Sequence, residues 1–401
     1  MDKHLEQIPV WIIRLVWLSF MLPMRLQTVL LIGCGALAFL YGLKQRTYPR
    51  DLGAYALPLL LGLLFLLYPL ALFLTPAADR DIVQGLIERK LSLLLLPVAF
   101  LPLQGWRREW HWFVAVQVIR LGGAMALTLL QVRQISNHVG FRLRFEEWAG
   151  IHPSYAGLYA VLGLIILRFE GVPWSRWAKV IAYGLLLAVL LLLSPKTMVL
   201  AALVVMLWPP SVRSGKALLT RSGLVLGTLA LAYAVLPFFR QRGAEVWQFL
   251  TGTTASGQTN SMAFRELIWR IDWNLLQEHW LMGLGPARLQ RELDGAFWQA
   301  SLITGMPVGT YNTHCEYLNQ WLSFGLLGFV LFLGFWFLLG QRARKDRDLA
   351  GGLLVFVMAL ACLTENILSR QHGVLAVAVF AVVLLQRGIR GSFRGKRPKE
   401  M

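Results

Sequence analysis

The chain has 401 residues, of which 57% are hydrophobic and only 15% are charged, and its formal net charge is +18. Apolar segments long enough to cross a bilayer recur along it, which excludes a soluble globular protein and predicts an all-α polytopic membrane protein. The cysteines are scattered, so they predict neither a disulfide framework nor a metal-ligand cluster. They are Cys34, Cys315 and Cys362.

Twelve apolar segments predict about 12 transmembrane helices. The first begins at Pro9 and has no small-residue cleavage site, so we interpret it as a retained helix and not as a signal peptide. Residues 1–237 then carry spans one to nine, 317–390 carry spans ten to twelve, and 391–401 form a basic tail. The predicted spans are 9–24, 26–43, 52–75, 91–103, 110–131, 154–168, 179–194, 197–210, 222–237, 317–339, 349–366 and 373–386.

The basic residues indicate how the predicted helices are oriented. If both termini are cytoplasmic, every inner connection is basic, as with Arg107 and Arg108 after span four and the run 342–347 after span ten. The short outer connections carry fewer basic residues. The positive charge then follows from membrane topology, and we expect membrane lipids but no nucleic acid as partners.

Polar groups on the predicted outer side are concentrated in three connections. The one between spans five and six contains Arg142 and Arg144 and ends in His152–Tyr155. The tight turn between spans seven and eight leaves Lys196 between two apolar runs. The third and longest connection is 238–316, predicted to be a periplasmic loop.

This long loop contains two predicted helices. Apolar residues at helical spacing predict an amphipathic helix from about Ala263 to Met282, with Arg265 and Asp272 away from its apolar face. A second short helix is predicted at about 287–300. A tethered helix with an apolar face is expected to lie on the membrane surface or to cover a cavity.

The end of the loop contains the most informative residues. Thr313 and Glu316 have the three-residue spacing of a capping box, which predicts a helix start and places His314 in the first turn. The partial positive charge of a helix N-terminus disfavours imidazolium there. A neutral His314 where a membrane helix meets water is a candidate general base.

These residues resemble the signature of the O-antigen ligase family. In that signature a histidine at the end of the largest outer loop is followed by leucine and glycine on the same helical face, here Leu318 and Gly325. The chain departs from the pattern at Cys315, where the family usually has a small polar residue, and at Lys196, where relatives show arginine. The other matching positions are Arg265 in the loop helix, Lys196 in a Ser-x-x turn and His152–Tyr155 at the entry to span six.

The resemblance implies both a fold and an activity. The fold is the membrane glycosyltransferase C-type. The activity is transfer of O-antigen polysaccharide from undecaprenyl diphosphate to a sugar hydroxyl of lipid A–core, at the periplasmic face of the bacterial inner membrane. No carboxylate cluster has the spacing of a divalent-metal site, so we expect inverting, metal-independent catalysis without a cofactor.

The cationic residues and the histidine of the predicted outer connections suit this chemistry. A lipid diphosphate is a good leaving group that needs neutralising cations, and the acceptor hydroxyl needs a base. The expected catalytic residues are His314, as the base, and Arg265. The expected diphosphate ligands are Lys196, Arg142, Arg144 and Arg265. Expected supporting residues are His152, Tyr155, Glu316 and Arg370.

Other interpretations stay open. An O-antigen polymerase or a protein O-oligosaccharyltransferase of the same superfamily would use the same donor, although polymerases often have two large outer loops. A lipid-linked oligosaccharide flippase would form no bond, but a transporter should show paired half-segments with broken helices. The structural alternatives are a helix cap for His314, snorkelling for Lys196 and lipid-phosphate anchoring for Arg142 and Arg144.

Overall fold

The computed structural model describes residues 3–132, 135, 137–208, 215–252, 261–304 and 309–393. Within these ranges the regular structure is entirely helical, as the sequence predicts. Most of the predicted basic tail, residues 394–401, lies outside the described part of the chain.

The α-helices follow in chain order. They are α1 (Lys3–Ser19), α2 (Met24–Gln45), α3 (Ala56–Leu74), α4 (Arg80–Ala99), α5 (Trp110–Leu130), α6 (His138–Ala149), α7 (Pro153–Phe169), α8 (Arg176–Leu193), α9 (Lys196–Leu207), α10 (Gly215–Val235), α11 (Pro237–Leu250), α12 (Ser261–His279), α13 (Pro286–Thr304), α14 (Glu316–Lys345), α15 (Leu349–Thr364) and α16 (Gln371–Phe393).

The chain is an α-helical, membrane-embedded protein. Five helices of the described ranges are long and apolar enough to cross a bilayer: α2, α8 and α14, together with α3 and α5 extended by their preceding turns. Helices α6 and α7 pass the same test as one pair bent by 67°. Several of the remaining predicted spans coincide with shorter apolar helices, so twelve crossings stay a prediction.

Two polar clusters lie at opposite ends of the same helices. At one end, Arg107 pairs with Glu170 at 2.9 Å and with Asp348, the N-cap of α15. At the other end, Ser154 in the first turn of α7 donates a hydrogen bond to Glu365, the C-cap of α15. Helix α15 has 16 residues and is about 24 Å long, close to the thickness of a bilayer's hydrocarbon core.

Helix α4 begins at Arg80, well before the start at residue 91 that its apolar run predicts. The added turns are charged, so hydropathy does not detect them. Lys90 is nevertheless buried, with its ammonium 2.7 Å from the Leu368 carbonyl oxygen and 4.6 Å from the centre of the Tyr68 ring. Tertiary contacts therefore stabilise a cationic turn that hydropathy assigns to a loop. Helices α6 and α11 likewise form in segments predicted as connections.

Helix α14 is interrupted in its first half. Phe324 and Gly325 have non-helical backbone angles, and the φ of +63° at Gly325 favours glycine. A Cβ atom at Gly325 would also collide with the backbone of the loop 281–285. The sequence predicts one continuous helical face from His314 to Gly325. The interruption of α14 shows that this prediction is wrong. The interruption frees backbone groups for three hydrogen bonds with that loop: Leu284 N to Leu322 O (2.7 Å), Gly285 N to Ser323 O (3.0 Å) and Leu326 N to Leu281 O (3.1 Å).

Helices α12 and α13 confirm the two helices predicted for the long loop. Ile268 and Leu276 of α12 are buried against Leu293 of α13 and Leu322 of α14. Asp272 lies between the two α12 residues on this buried face, which corrects the prediction that it lies elsewhere. Asp272 is four residues after Ile268 and four before Leu276, so it lies in the same apolar stripe of α12. Neither of its carboxylate oxygens has a hydrogen-bond partner.

Candidate functional site

The predicted capping box is wrong. Helix α14 begins at Glu316 with Cys315 as its N-cap, and no side chain caps it. The Thr313 hydroxyl is used elsewhere: it lies 3.1 Å from Asn366 Oδ1 and 2.9 Å from the Cys315 carbonyl oxygen. His314 therefore precedes the helix, and the argument from a first-turn position does not apply.

Glu316 holds two segments of the protein together. Its side chain is fully buried, Oε2 accepts a hydrogen bond from Leu368 N at 2.8 Å, and Oε1 accepts one from Gln320 Nε2 at 2.7 Å. These contacts tie the start of α14 to the segment after α15. Glu316 thus neither caps the helix nor orients His314 directly.

His314 has a left-handed backbone, with φ of +45°. Residues other than glycine rarely adopt this conformation. Where it occurs, the surrounding structure enforces it, and such residues cluster at functional sites. The His314 N–H donates to Asn312 Oδ1 at 3.0 Å. Ring atom Nδ1 lies 3.9 Å from Glu365 Oε2, too far for a hydrogen bond, and the side chain is 28% exposed.

Glu365 is the functional candidate that the sequence prediction omits. Its Oε1 accepts hydrogen bonds from Ser154 Oγ at 2.9 Å and from Arg265 Nη2 at 3.1 Å. Burial raises the pKa of the Glu365 carboxyl, but His314, Arg265 and Ser154 outweigh burial and hold that pKa at about 2. Glu365 is therefore a carboxylate between two predicted catalytic residues. The available signal was a lone acidic residue at the end of an apolar run.

Three predicted diphosphate ligands line one open cavity with an empty volume of about 570 Å³. We call it the cation cavity. Arg142 comes from α6, Lys196 is the first residue of α9, and Arg265 comes from α12. The rest of the polar lining is Ser154, Ser194, Thr197, Thr364 and Glu365. Packing of helices that are distant along the chain thus brings these cations together.

Carboxylates accompany two of these cations. Lys196 Nζ lies 3.0 Å from Glu245 Oε2, and Arg265 pairs with Glu365. Such a cavity can bind an anion that competes with the carboxylates for the Lys and Arg donors. Guanidinium and ammonium groups together are suited to phosphate oxygens.

Other predicted site residues lie outside the cavity wall. Arg144 pairs with Glu147 at 2.7 Å on an exposed helix face. Tyr155 is buried, and its hydroxyl donates to the Asn366 carbonyl oxygen at 3.1 Å. His152 is the N-cap of α7, where its Nδ1 accepts from Ser154 N at 3.3 Å. These contacts give Tyr155 and His152 roles in positioning the walls.

Two further predicted features have definite positions. Arg370 lies 3.5 Å from Glu146 Oε1 and does not line the cation cavity. Cys315 is buried, and burial raises the pKa of its thiol to about 11, so it is a protonated packing residue.

The described residues include no group of three His, Cys, Asp or Glu side chains placed to hold a metal ion. The charged and titratable groups brought together at the site are the His314 imidazole, the carboxylates of Glu365 and Glu245, and three cations. Comparison with models of known protein families and with curated proteins found no match to this chain.

Proposed function

We propose that this protein is a glycosyltransferase that moves O-antigen from undecaprenyl diphosphate to a sugar hydroxyl of lipid A–core. The observation that carries the proposal is the convergence of Arg142, Lys196 and Arg265 on one cavity, with His314 beside its carboxylate Glu365. The resemblance to O-antigen ligases supports the choice of substrates. The proposal includes twelve spans in a glycosyltransferase C-type fold, cytoplasmic termini and a periplasmic site in the bacterial inner membrane.

The donor's diphosphate binds in the cation cavity. Its oxygens replace Glu365 as partner of Arg265 and Glu245 as partner of Lys196, because a diphosphate carries more negative charge than either carboxylate. The Arg265 guanidinium supplies a planar pair of hydrogen-bond donors, and the Lys196 ammonium supplies a point charge. Both stabilise the charge that develops on the leaving diphosphate.

The donor's hydrocarbon chain has an apolar crevice beside this site. Helices α8, α9 and α10 enclose an empty volume of about 390 Å³, lined almost entirely by carbon. Helix α9 begins with Lys196 in the cation cavity and continues with Val199, Ala202 and Leu203 along the crevice. One helix thus offers a cation to the headgroup and an apolar surface to the prenyl chain.

The acceptor hydroxyl requires a proton acceptor, and His314 fills this role. Glu365 faces Nδ1, which leaves Nε2 for the hydroxyl proton. The acceptor oxygen bonds to the anomeric carbon while the bond from that carbon to the diphosphate oxygen breaks. Undecaprenyl diphosphate leaves, the proton moves to His314, and attack from the opposite face inverts the configuration.

The test is glycan transfer by the purified protein reconstituted with undecaprenyl-diphosphate-linked O-antigen and lipid A–core. A ladder of long lipopolysaccharide bands is expected from the wild type and not from His314→Ala. Growth of the lipid-linked chain instead would identify a polymerase. Glycan modification of an added acceptor protein would identify a protein O-oligosaccharyltransferase. Movement of the donor across the bilayer without bond formation would identify a flippase.

A further inference from the structure

A second cavity lies against the segment that carries His314. Its empty volume is about 960 Å³, and it is enclosed by α4, α13, α14 and residues 366–370. We call it the amide cavity, because carboxamide side chains are prominent in its polar lining. That lining includes Tyr68, Arg89, Gln290, Asn312, Asn319 and Asn366.

The two cavities share a wall. Glu365 has extended backbone angles, so it and the next residue, Asn366, point to opposite sides. Glu365 lines the cation cavity and Asn366 lines the amide cavity. Asn312, which also lines the amide cavity, accepts the hydrogen bond from the His314 N–H. The expected base therefore belongs to the wall between the two cavities.

Asn366 carries an unused hydrogen-bond donor in this wall. The residue is only 4% exposed, its Oδ1 is within hydrogen-bond distance of the Thr313 hydroxyl, and its Nδ2 has no partner. Buried polar groups in folded proteins are nearly always hydrogen-bonded. Because Asn366 lines the amide cavity, a ligand there that accepts a hydrogen bond would satisfy this donor.

The rest of the lining indicates the chemical class of that ligand. Carboxamides both donate and accept hydrogen bonds, as sugar hydroxyls require. Three cations line the same cavity: Arg89, Lys90 and Arg370. Arg89 donates to the backbone carbonyl oxygens of Gly85 and Ser369, at 2.9 and 3.3 Å. Sugar hydroxyls with an anionic substituent match this set.

We propose that the amide cavity binds the acceptor through an anionic oligosaccharide, the core portion of lipid A–core. This inference rests on the proposed function and adds a second substrate site to it. The core oligosaccharide then binds in the amide cavity, and the sugar that carries the acceptor hydroxyl extends past His314 to the anomeric carbon of the donor in the cation cavity.

The experiment measures binding of fluorescently labelled lipid A–core, without O-antigen, to the full-length protein in nanodiscs. Asn366→Asp replaces the unused donor by an oxygen while leaving the Thr313 contact in place, and Arg89→Gln removes one of the three positive charges that line the cavity. We expect each to weaken lipid A–core binding about tenfold, as for loss of a charge-assisted hydrogen bond, with undecaprenyl diphosphate binding unchanged. The matched control is Arg288→Gln, an exposed α13 arginine that pairs with Glu292.

Lipid A without core sugars should bind the wild type and both variants equally. Unchanged lipid A–core binding in both variants, or an equal loss of undecaprenyl diphosphate binding, would overturn the inference. If the wild type transfers glycan and both variants keep the wild-type KM for the acceptor, the amide cavity is not the acceptor site, whereas the proposed function stands. A wild-type protein that binds lipid A–core in this cavity but transfers no glycan would contradict the proposed function alone.

Discussion

At the scale of single residues, opposite charges share the wall of the cation cavity. Glu365 stands between Arg265 and His314, so one carboxylate contacts the proposed diphosphate ligand and faces the proposed base. The left-handed backbone of His314 shows that the surrounding segments, and not helix geometry, set the position of its ring.

The first prediction concerns the base. His314→Ala should lower glycan transfer by roughly 10²–10⁴-fold, the usual contribution of a positioned general base. Undecaprenyl diphosphate binding should persist, because its expected ligands are Arg142, Lys196 and Arg265. The measurement is donor binding and transfer by the same purified variant. Lost binding would make His314 a phosphate ligand or a structural residue, and retained transfer would remove it from the mechanism.

The second prediction separates two effects of Glu365. Because its pKa is about 2, it is charged at any practical assay pH, and Glu365→Gln removes that charge with little change in shape. We expect tighter undecaprenyl diphosphate binding, by roughly tenfold, because Arg265 no longer shares its donors with a carboxylate. Transfer at saturating donor should fall, because His314 loses the group that faces Nδ1.

Glu147→Gln is the matched control, since Glu147 pairs with Arg144 on an exposed face. Weaker donor binding in Glu365→Gln would mean that the carboxylate holds Arg265 in its binding geometry. Unchanged binding and transfer would leave Glu365 as a structural ion-pair partner.

At the scale of helices, α12 connects the site to the rest of the loop. It carries Arg265 near its start and buries Ile268 and Leu276 against α13 and α14. The loop 281–285 that follows is hydrogen-bonded into the interruption of α14. Arg265 therefore depends on the docking of a whole helix for its position.

The third prediction concerns that docking. Burial raises the pKa of Asp272 from its usual value of 3.8 to about 8, so the folded protein keeps a proton that the unfolded chain releases. Stability contributed by this proton is complete below about pH 4 and is lost as the pH rises to about 8. The slope approaches about 1.4 kcal/mol per pH unit within that window. Asp272→Asn should remove this part of the pH dependence.

The pH dependence of stability is measured by thermal unfolding followed by tryptophan fluorescence, since Trp269 and Trp273 lie on the same helix as Asp272. The comparison is the difference in melting temperature between wild type and Asp272→Asn at each pH. A constant difference from pH 4 to 8 would show that Asp272 is ionised in the folded protein.

At the scale of the whole molecule, helices α7 and α15 run between two polar clusters, one around Arg107 and one around Glu365. The basic connections predict that the Arg107 end is cytoplasmic. The proposed chemistry then requires the Glu365 end to face the periplasm, where the lipid-linked glycan is presented.

The fourth prediction tests this orientation. A single cysteine at Trp298 of α13 should react with a membrane-impermeant maleimide in intact spheroplasts, and one at Arg344 of α14 only after permeabilisation. Both positions are exposed, and the native cysteines are buried, so background labelling should be low. The reverse pattern would put the cation cavity on the cytoplasmic side and exclude a periplasmic ligase.

Much of the candidate site was predictable because its members carry local signals. Lys196 stands out as a cation between two apolar runs, Arg265 as a charge on an amphipathic helix, and His314 as the histidine where the loop meets a span. Glu365 gave a weaker signal, because its partner Arg265 is 100 residues away along the chain. Arg144 has the same local signal as Arg142, and only the direction of its helix face separates them.

By itself, the sequence determined the all-helical character, the position of most apolar helices and the amphipathic pair in the long loop. These follow from composition and periodicity, which depend on residues within a few turns of one another. Only the tertiary structure decided that the Thr313 hydroxyl meets Asn366 instead of capping a helix, that Lys90 and Asp272 are buried, and that α14 breaks at Gly325. Each of these depends on a partner from a distant segment, because packing and hydrogen bonding between segments outweigh the small free energies of local preference.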